Sequence, residues 1–361
     1  MPVRIDLSAF LRPLAGDLAQ IDFGGLTVLG AITRLAESRP ELRPHLPISG
    51  PSDHGGRILL NDRLLRSSSD LMTRLEDDDV LSLVTPPHAR LNQPSPELTQ
   101  DESLRYARHL ALPQVGEEGQ RRLKASSVLV IGLGGLGSPL ALYLAAAGIG
   151  KIGIVDFDIV DPSDLHRQIL HGTADLGRMK IDSATRRMRD LNPYTEIVGY
   201  PTRLTPSNAL EIIRDYDVVA DATDNFPTRY LVNDACVLLG RPNVYGSVFQ
   251  FEGQATILGA PGGPCYRCIY PEPPPPGMVR TCVDGGVLGI LPGVVGLLQA
   301  TEVVKLLLGL PDPLIGRLIN YDALRMRFRD VTVRHDPTCP ACGSNPRIES
   351  LIDYEGFCRL K

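Results

Sequence analysis

Apolar and polar residues alternate over Val3-Arg4-Ile5-Asp6-Leu7 and again over Ala19-Gln20-Ile21-Asp22-Phe23. This is the period of a strand with one face toward a core. The two runs are placed to pair as a hairpin. From Thr27 to Leu35 the spacing becomes helical, with Leu26, Leu29, Ile32 and Leu35 on one face behind a Thr cap. Arg57 to Asp62 and Val80 to Val84 return to strand character. The order β-β-α-β-β predicts one mixed sheet covered by a single helix.

That arrangement is a small α+β unit of β-grasp (ubiquitin-like) type, and it occupies residues 1–88. Residues 89–97 carry prolines and little apolar content, and read as a semi-extended linker. From residue 98 to 361 the pattern changes again. A helical stretch around Leu104 to Leu112 precedes the β-branched run Val128-Leu129-Val130-Ile131, then glycines, a helix over Pro139 to Ala147, and the strand Ile152 to Asp156. A strand over Asp217 to Asp221 and helices over Ser183 to Leu191 and Asn208 to Arg214 continue the alternation. The fold class expected is α/β, a Rossmann-like domain with a mostly parallel sheet. Past the prolines at 271–276, the later half of Gly285 to Leu308 reads as a buried helix.

Composition narrows the function classes. The 361 residues are 43% hydrophobic and 22% charged, and no apolar run of the ~18 residues a membrane span needs is evident. With 37 basic and 42 acidic residues the net charge is −5, which draws the chain to neither nucleic acid nor an anionic membrane. The N-terminus has no signal or transit pattern, so a cytoplasmic location is expected. The seven cysteines include two Cys-x-x-Cys pairs, which suit a reduced compartment and a metal site.

Gly132-Leu133-Gly134-Gly135-Leu136-Gly137 follows a strand and opens a helix, with Asp156 roughly 20 residues further on. Glycines let the backbone approach phosphate, and the carboxylate suits ribose hydroxyls. The fingerprint names a nucleotide without naming which one, and a nicotinamide-dependent dehydrogenase answers to it too. Arg167 and Lys180 shortly afterwards are cations that a triphosphate needs and a dinucleotide does not. Each alone is also an ordinary surface charge. Asp221-Ala222-Thr223-Asp224-Asn225 sits past a strand, where a carboxylate can hold Mg²⁺ and an Asp or Asn can cap a helix.

Cys265, Cys268, Cys339 and Cys342 have the local spacing of two halves of a tetrahedral zinc site. A redox Cys-x-x-Cys is the alternative, disfavoured because two pairs coexist and neither is expected to open a helix after a strand. Cys282, close to Arg280, is a candidate nucleophile, although a lone cysteine is more often inert. Cys236 reads as a buried helix residue.

Taken together, residues 98 to about 358 resemble the MoeB/ThiF family, bacterial relatives of the ubiquitin-activating enzymes. The resemblance is carried by Arg105-Tyr106-Ala107-Arg108, the glycine loop, Asp156-Phe157-Asp158, Arg167-Gln168, Lys180, Asp221 to Asn225, the paired cysteines and Thr281-Cys282. It implies adenylation of the C-terminal carboxylate of a small β-grasp protein with ATP and Mg²⁺, and release of pyrophosphate. It further implies that the loop glycines Gly132, Gly134, Gly135 and Gly137 bind nucleotide with Asp158, Gln168 and Asn225. Asp156 would bind the ribose, Arg167 and Lys180 the phosphates, and Asp224 the magnesium. Arg108 would be an arginine finger reaching across a homodimer, and Cys282 the crossover-loop cysteine. Zn²⁺ would be structural. One departure is Asp164 where relatives carry an amide. Either this carboxylate turns toward a cation, or ATP affinity is lowered.

The N-terminal unit resembles MoaD/ThiS-type sulfur carriers through Phe10 to Gly16, Leu60-Asn61-Asp62 and Asp77 to Leu83. Those carriers end in Gly-Gly, whereas this unit runs on through Pro86-Pro87-His88-Ala89-Arg90. The substrate expected is therefore a separate Gly-Gly carrier of MoaD, ThiS or CysO type. The chain stops where some relatives continue into a rhodanese domain, so a sulfurtransferase or cysteine desulfurase is expected in trans. The competing readings are a scaffold blocked by its own β-grasp unit and an NAD-linked oxidoreductase.

Overall fold

The computed structural model describes residues 3–8, 11–16, 18, 21–48, 56–85, 95–275 and 285–359. The first alternating run forms β1 (Arg4–Leu7), but the chain then enters a one-turn helix, α1 (Arg12–Ala15). Ile21–Phe23 forms no strand, so the expected hairpin is absent among the described residues. Core packing explains the difference. Leu11 and Ala15 are buried in one cluster with Phe23, and Ile21 N–H donates to Leu18 O at 3.0 Å, closing a turn where a ladder was expected.

Next comes α2 (Val28–Ser38), capped as expected by Thr27, whose Oγ1 accepts from Gly30 N at 3.1 Å. Its buried face, Val28, Ala31, Ile32 and Leu35, covers a sheet built from β2 (Arg57–Leu60), β3 (Arg63–Leu64) and β4 (Val80–Val84) with β1. The order is β1-β4-β2-β3, with β1 parallel to β4 and the other pairs antiparallel. This unit leans on the rest of the chain. Arg214 reaches Asp6 at 2.7 Å, Arg12 reaches Asp215 at 3.0 Å, and Leu64 N–H donates to Glu349 O at 3.1 Å. Leu59, Leu64 and Val84 share a core with Ile213, Tyr216 and Leu239.

Beyond it, α3 (Gln100–Arg105) and α4 (Ala107–Leu110) stand where one helix was expected. The break is Tyr106, which turns inward so that its hydroxyl accepts from Asn192 Nδ2 at 2.8 Å. Then follow α5 (Gly116–Ala125), β5 (Ser127–Ile131), α6 (Gly137–Ala147), β6 (Lys151–Val155), α7 (Lys180–Leu191) and β7 (Glu196–Tyr200). After these come α8 (Ala209–Ile213), β8 (Val218–Asp221), α9 (Phe226–Leu239), β9 (Asn243–Phe249), β10 (Glu252–Leu258) and α10 (Tyr266–Ile269). The chain closes with α11 (Leu291–Leu308), β11 (Arg317–Asp322), β12 (Arg327–Thr332) and α12 (Tyr354–Arg359).

The eight-stranded sheet runs β12-β11-β10-β9-β8-β5-β6-β7, parallel from β9 to β7 and antiparallel from β9 to β12. Val128, Leu129 and Val130 of β5 are wholly buried, as the unbroken β-branched run requires of a strand covered on both faces. On one face, α6, α7 and α11 share a core with β5 and β6. On the other, α8, α9 and α12 do so.

The expectation of no apolar run long enough to span a membrane is corrected by α11, whose 18 residues have a mean hydropathy of 1.5. Its polar residues show why it is a core helix. Gln299 donates to Asp221 O and Val244 O, and Glu302 accepts from Leu314 N at 2.8 Å. Along the rest of the helix, apolar residues such as Leu291, Val295, Val303 and Leu307 are buried in the core that the helix shares with β9 and β10.

Candidate functional site

Strands β5 and β8 lie side by side, yet β6 and β7 extend the sheet one way and β9 the other. Such a reversal opens a crevice at the carboxyl ends of the strands, where open α/β sheets take ligands. A cavity of about 670 Å³ lies there.

The glycine loop forms one wall. Gly132 has φ +92°, and a Cβ there would lie 3.0 Å from Ala222 O, so the loop after β5 is pressed against the loop after β8. A Cβ on Gly135 would lie 2.9 Å from Pro292 Cβ, at the start of α11. Gly134 is less tightly held, a Cβ there meeting only Gln168 Nε2 at 3.9 Å, and it lines the cavity with Gly132 and Gly135. Gly137 does not line it. A side chain there would run into the Gly132 carbonyl, so this glycine admits the first turn of α6 rather than a ligand.

The carboxylate of Asp156, at the end of β6, accepts from Leu133 N at 2.7 Å and Asp158 N at 2.8 Å. Burial pushes its pKa up, against the pull of those two N–H donors. Lys180 opens α7 with its amine 3.1 Å from Asp158 Oδ2 and 3.6 Å from Asp164 Oδ2. The other Asp164 oxygen accepts from Gln168 Nε2 at 2.7 Å and Arg167 Nη2 at 3.2 Å. Asp164 is thus turned toward cations, Lys180 on one side and Arg167 on the other.

Of the two carboxylates at the end of β8, Asp221 is fully buried, its Oδ1 accepting from Thr223 N and Oγ1, and burial raises its pKa. Asp224 is exposed on the cavity wall. Asn225 also borders the cavity, but its Oδ1 caps α9 by accepting from Thr228 N at 3.0 Å. Beneath them the buried Arg229 donates to Thr223 O at 3.0 Å.

Arg108 is not part of this wall. It stands exposed on α4. Cys282 lies outside the described residues, and Cys236 is a buried helix residue as expected.

Sequence reasoning missed several neighbours. Arg203 lines the cavity with its guanidinium 4.5 Å from the centre of the Phe157 ring. Its place just after β7, at the same sheet edge as Asp156, is a signal that could have found it. His171 and Arg229 sit behind the loops and carry no periodic signal.

A second cluster joins distant parts of the chain. The Sγ atoms of Cys265, Cys268, Cys339 and Cys342 lie within 4.8 Å of one another, with Cys265 3.5 Å from Cys339 and Cys268 3.4 Å from Cys342. Four sulfurs each at the ~2.3 Å zinc–sulfur distance stand about 3.8 Å apart in a tetrahedron, so the donor set fits zinc. The contact with Cys265 holds the Cys268 thiol below its ordinary value, and backbone N–H groups of Cys265 and Asp336 point at the same sulfur. One expectation is corrected. Cys265 does precede a helix, the one-turn α10 after β10, but its partner sulfurs across the chain favour a four-sulfur site over a redox pair.

The profile of the ThiF family matches residues 106–341. Over 268 residues the chain is 54% identical to the sulfur carrier protein adenylyltransferase of Thermus thermophilus, covering 73% of this chain and 99% of that one. It is 55% identical over 266 residues to pig adenylyltransferase and sulfurtransferase MOCS3, covering 73% of this chain but only 58% of that protein. To the probable adenylyltransferase/sulfurtransferase MoeZ of Mycobacterium tuberculosis it is 52% identical, covering 74% of this chain and 68% of that one. Among solved structures, E. coli MccB with ATP superposes with a TM-score of 0.59 at 21% identity, over 68% of this chain and 75% of that one, a likeness of fold.

Proposed function

The chain belongs to the ThiF family, and on that premise we propose that it adenylates the C-terminal glycine carboxylate of a small ubiquitin-like sulfur carrier, using ATP and releasing pyrophosphate. The observation that carries this reading is the meeting of Arg167, Lys180 and Asp224 with the glycine loop in one cavity.

The chemistry is an in-line displacement. A carboxylate oxygen of the carrier attacks the α-phosphorus, the bond to the bridging α–β oxygen breaks, and pyrophosphate leaves with that electron pair. Asp156 holds the loop and accepts from the ribose. Gly134 and Gly135 admit phosphate close to the backbone, while Arg167 and Lys180 offset the charge that builds during displacement. Before nucleotide enters, Asp158 and Asp164 hold Lys180 in the cavity. Asp224, exposed on the cavity wall, would hold magnesium, which would neutralise the phosphates. The four cysteines would hold zinc and tie the segment around 339–342 to α10.

Arg108, exposed and outside the cavity lining, is read as serving the second subunit of a homodimer. Residues 1–88 are read as a carrier-like β-grasp unit, 89–97 as a linker and 98–361 as the adenylating domain. The carrier acts in trans, because the N-terminal unit runs on into the rest of the chain and so offers no free C-terminal carboxylate. Cys282 is read by its motif as the acceptor or relay of the activated acyl group, with sulfur supplied by a separate donor.

ATP–pyrophosphate exchange by the purified chain, alone and with Gly-Gly carriers, tests this reading. Exchange that appears with a carrier and disappears in Asp224→Ala is expected. Absence of exchange with every such carrier would overturn it.

A further inference from the structure

The glycine loop is gripped at Leu133 from two sides. Leu133 N–H donates to Asp156 Oδ2 at 2.7 Å, and Leu133 O meets His171 Nε2 at 3.2 Å, with Ser138 Oγ at 3.5 Å. His171 is buried, does not line the cavity, and has Nδ1 3.0 Å from Ser183 Oγ on α7. A carbonyl only accepts, so Nε2 carries the proton. Burial lowers the ring's pKa, which favours the neutral form, and Nδ1 faces the Ser183 hydroxyl.

Leu133 C=O and Gly134 N–H belong to one peptide plane, and no peptide bond here is cis. In a trans peptide the two groups point in opposite directions. A carbonyl drawn back to His171 therefore turns Gly134 N–H the other way, toward the cavity that Gly134 lines.

We propose that His171 is a positioning residue, which through Leu133 aims the Gly134 N–H at a nucleotide phosphate. This rests on the nucleotide reading above.

The experiment is calorimetric binding of Mg·ATP, and separately of adenosine, to the full chain as wild type, His171→Gln and His171→Asn. A Gln amide reaches the Nε2 position and an Asn amide does not. His171→Asn is expected to weaken Mg·ATP about tenfold, the equivalent of one lost hydrogen bond, with His171→Gln within about threefold of wild type. Adenosine, which has no phosphate, should bind all three alike. Mg·ATP binding by His171→Asn as tight as wild type, equal losses in both variants, or an equal loss for adenosine would overturn the proposal. A wild-type chain that binds no Mg·ATP overturns the nucleotide reading itself, a separate result. Should the variants not fold, the ring ¹⁵N spectrum of the wild type decides: Nε2–H supports the proposal and Nδ1–H overturns it.

Discussion

Asp164 and Lys180 face each other across the floor of the cavity, with 3.6 Å between Oδ2 and Nζ and both side chains under a tenth exposed. On the proposed reading, in which Lys180 meets the nucleotide phosphates, the pairing makes Asp164 a competitor of phosphate for the lysine. Asp164→Asn keeps an oxygen for Gln168 and removes the charge. Mg·ATP affinity should rise about fivefold, the size of one partly screened ion pair, with little change in kcat. Calorimetry on the variant checks it, and weaker binding would mean that Asp164 orients Lys180 usefully.

Lys180→Met should act in the opposite sense. It removes the cation that pairs Asp158 and Asp164 and, on the proposed reading, leaves those carboxylates unneutralised beside the phosphates. Exchange kcat should drop by about 10²-fold or more, because a preorganised charge acts in a sheltered site. Steady-state pyrophosphate exchange reads this, and a change confined to KM would assign Lys180 to ground-state binding.

Most of the residues lining the cavity were legible in the sequence because they stand at strand ends that the pattern had already placed or belong to the motifs that carry the family resemblance. The glycine loop, Asp156 and Asp224 are fixed by strand ends in the hydrophobic pattern, whereas Lys180 stands out as a cation shortly after Asp156 and ahead of the helix expected over Ser183 to Leu191. What escaped depends on contacts between distant segments. Nothing near Ala19 to Phe23 reveals that Leu11 and Ala15 take the core positions beside Phe23. The break at Tyr106 needs Asn192, 86 residues away, and the grip of His171 needs Leu133, 38 residues away.

Removing metal should loosen the C-terminal segment. Purified protein is expected to contain one zinc per chain, and strong chelation or Cys339→Ser should lower Tm by several degrees. Calorimetry with metal analysis decides. A metal-free preparation with the same Tm would reject the structural role.

Low pH should test His171 through stability as well. Its folded pKa lies below the ordinary 6.5, chiefly through burial and also through Lys180, against the pull of Leu133 O, Asp156 and Asp175. As pH falls through 6.5 the unfolded chain takes up the proton first, so the folded state loses stability there and keeps it above. The Tm advantage of wild type over His171→Gln should therefore shrink between pH 7.5 and pH 5.5, values about one unit either side of the free imidazole pKa. A constant difference in calorimetric scans would show that the ring does not titrate differently on folding.

The most buried charge pair offers the largest single effect. Arg267 Nε and Nη2 each donate at 2.8 Å to one oxygen of Asp234, which also accepts from Tyr354 Oη at 2.8 Å, joining α9, α10 and α12. Asp234→Ala strands a guanidinium that is 3% exposed, and a stranded buried charge costs about 3–5 kcal/mol. Tyr354→Phe removes one hydrogen bond to a charged group and should cost about 1.5–3 kcal/mol. Asp234→Leu with Arg267→Met removes both charges together and should recover much of the loss, since two desolvated charges no longer need each other. Urea unfolding of the set gives the coupling directly. If the double variant is as unstable as Asp234→Ala alone, the pair contributes through the packing of its side chains and not through charge.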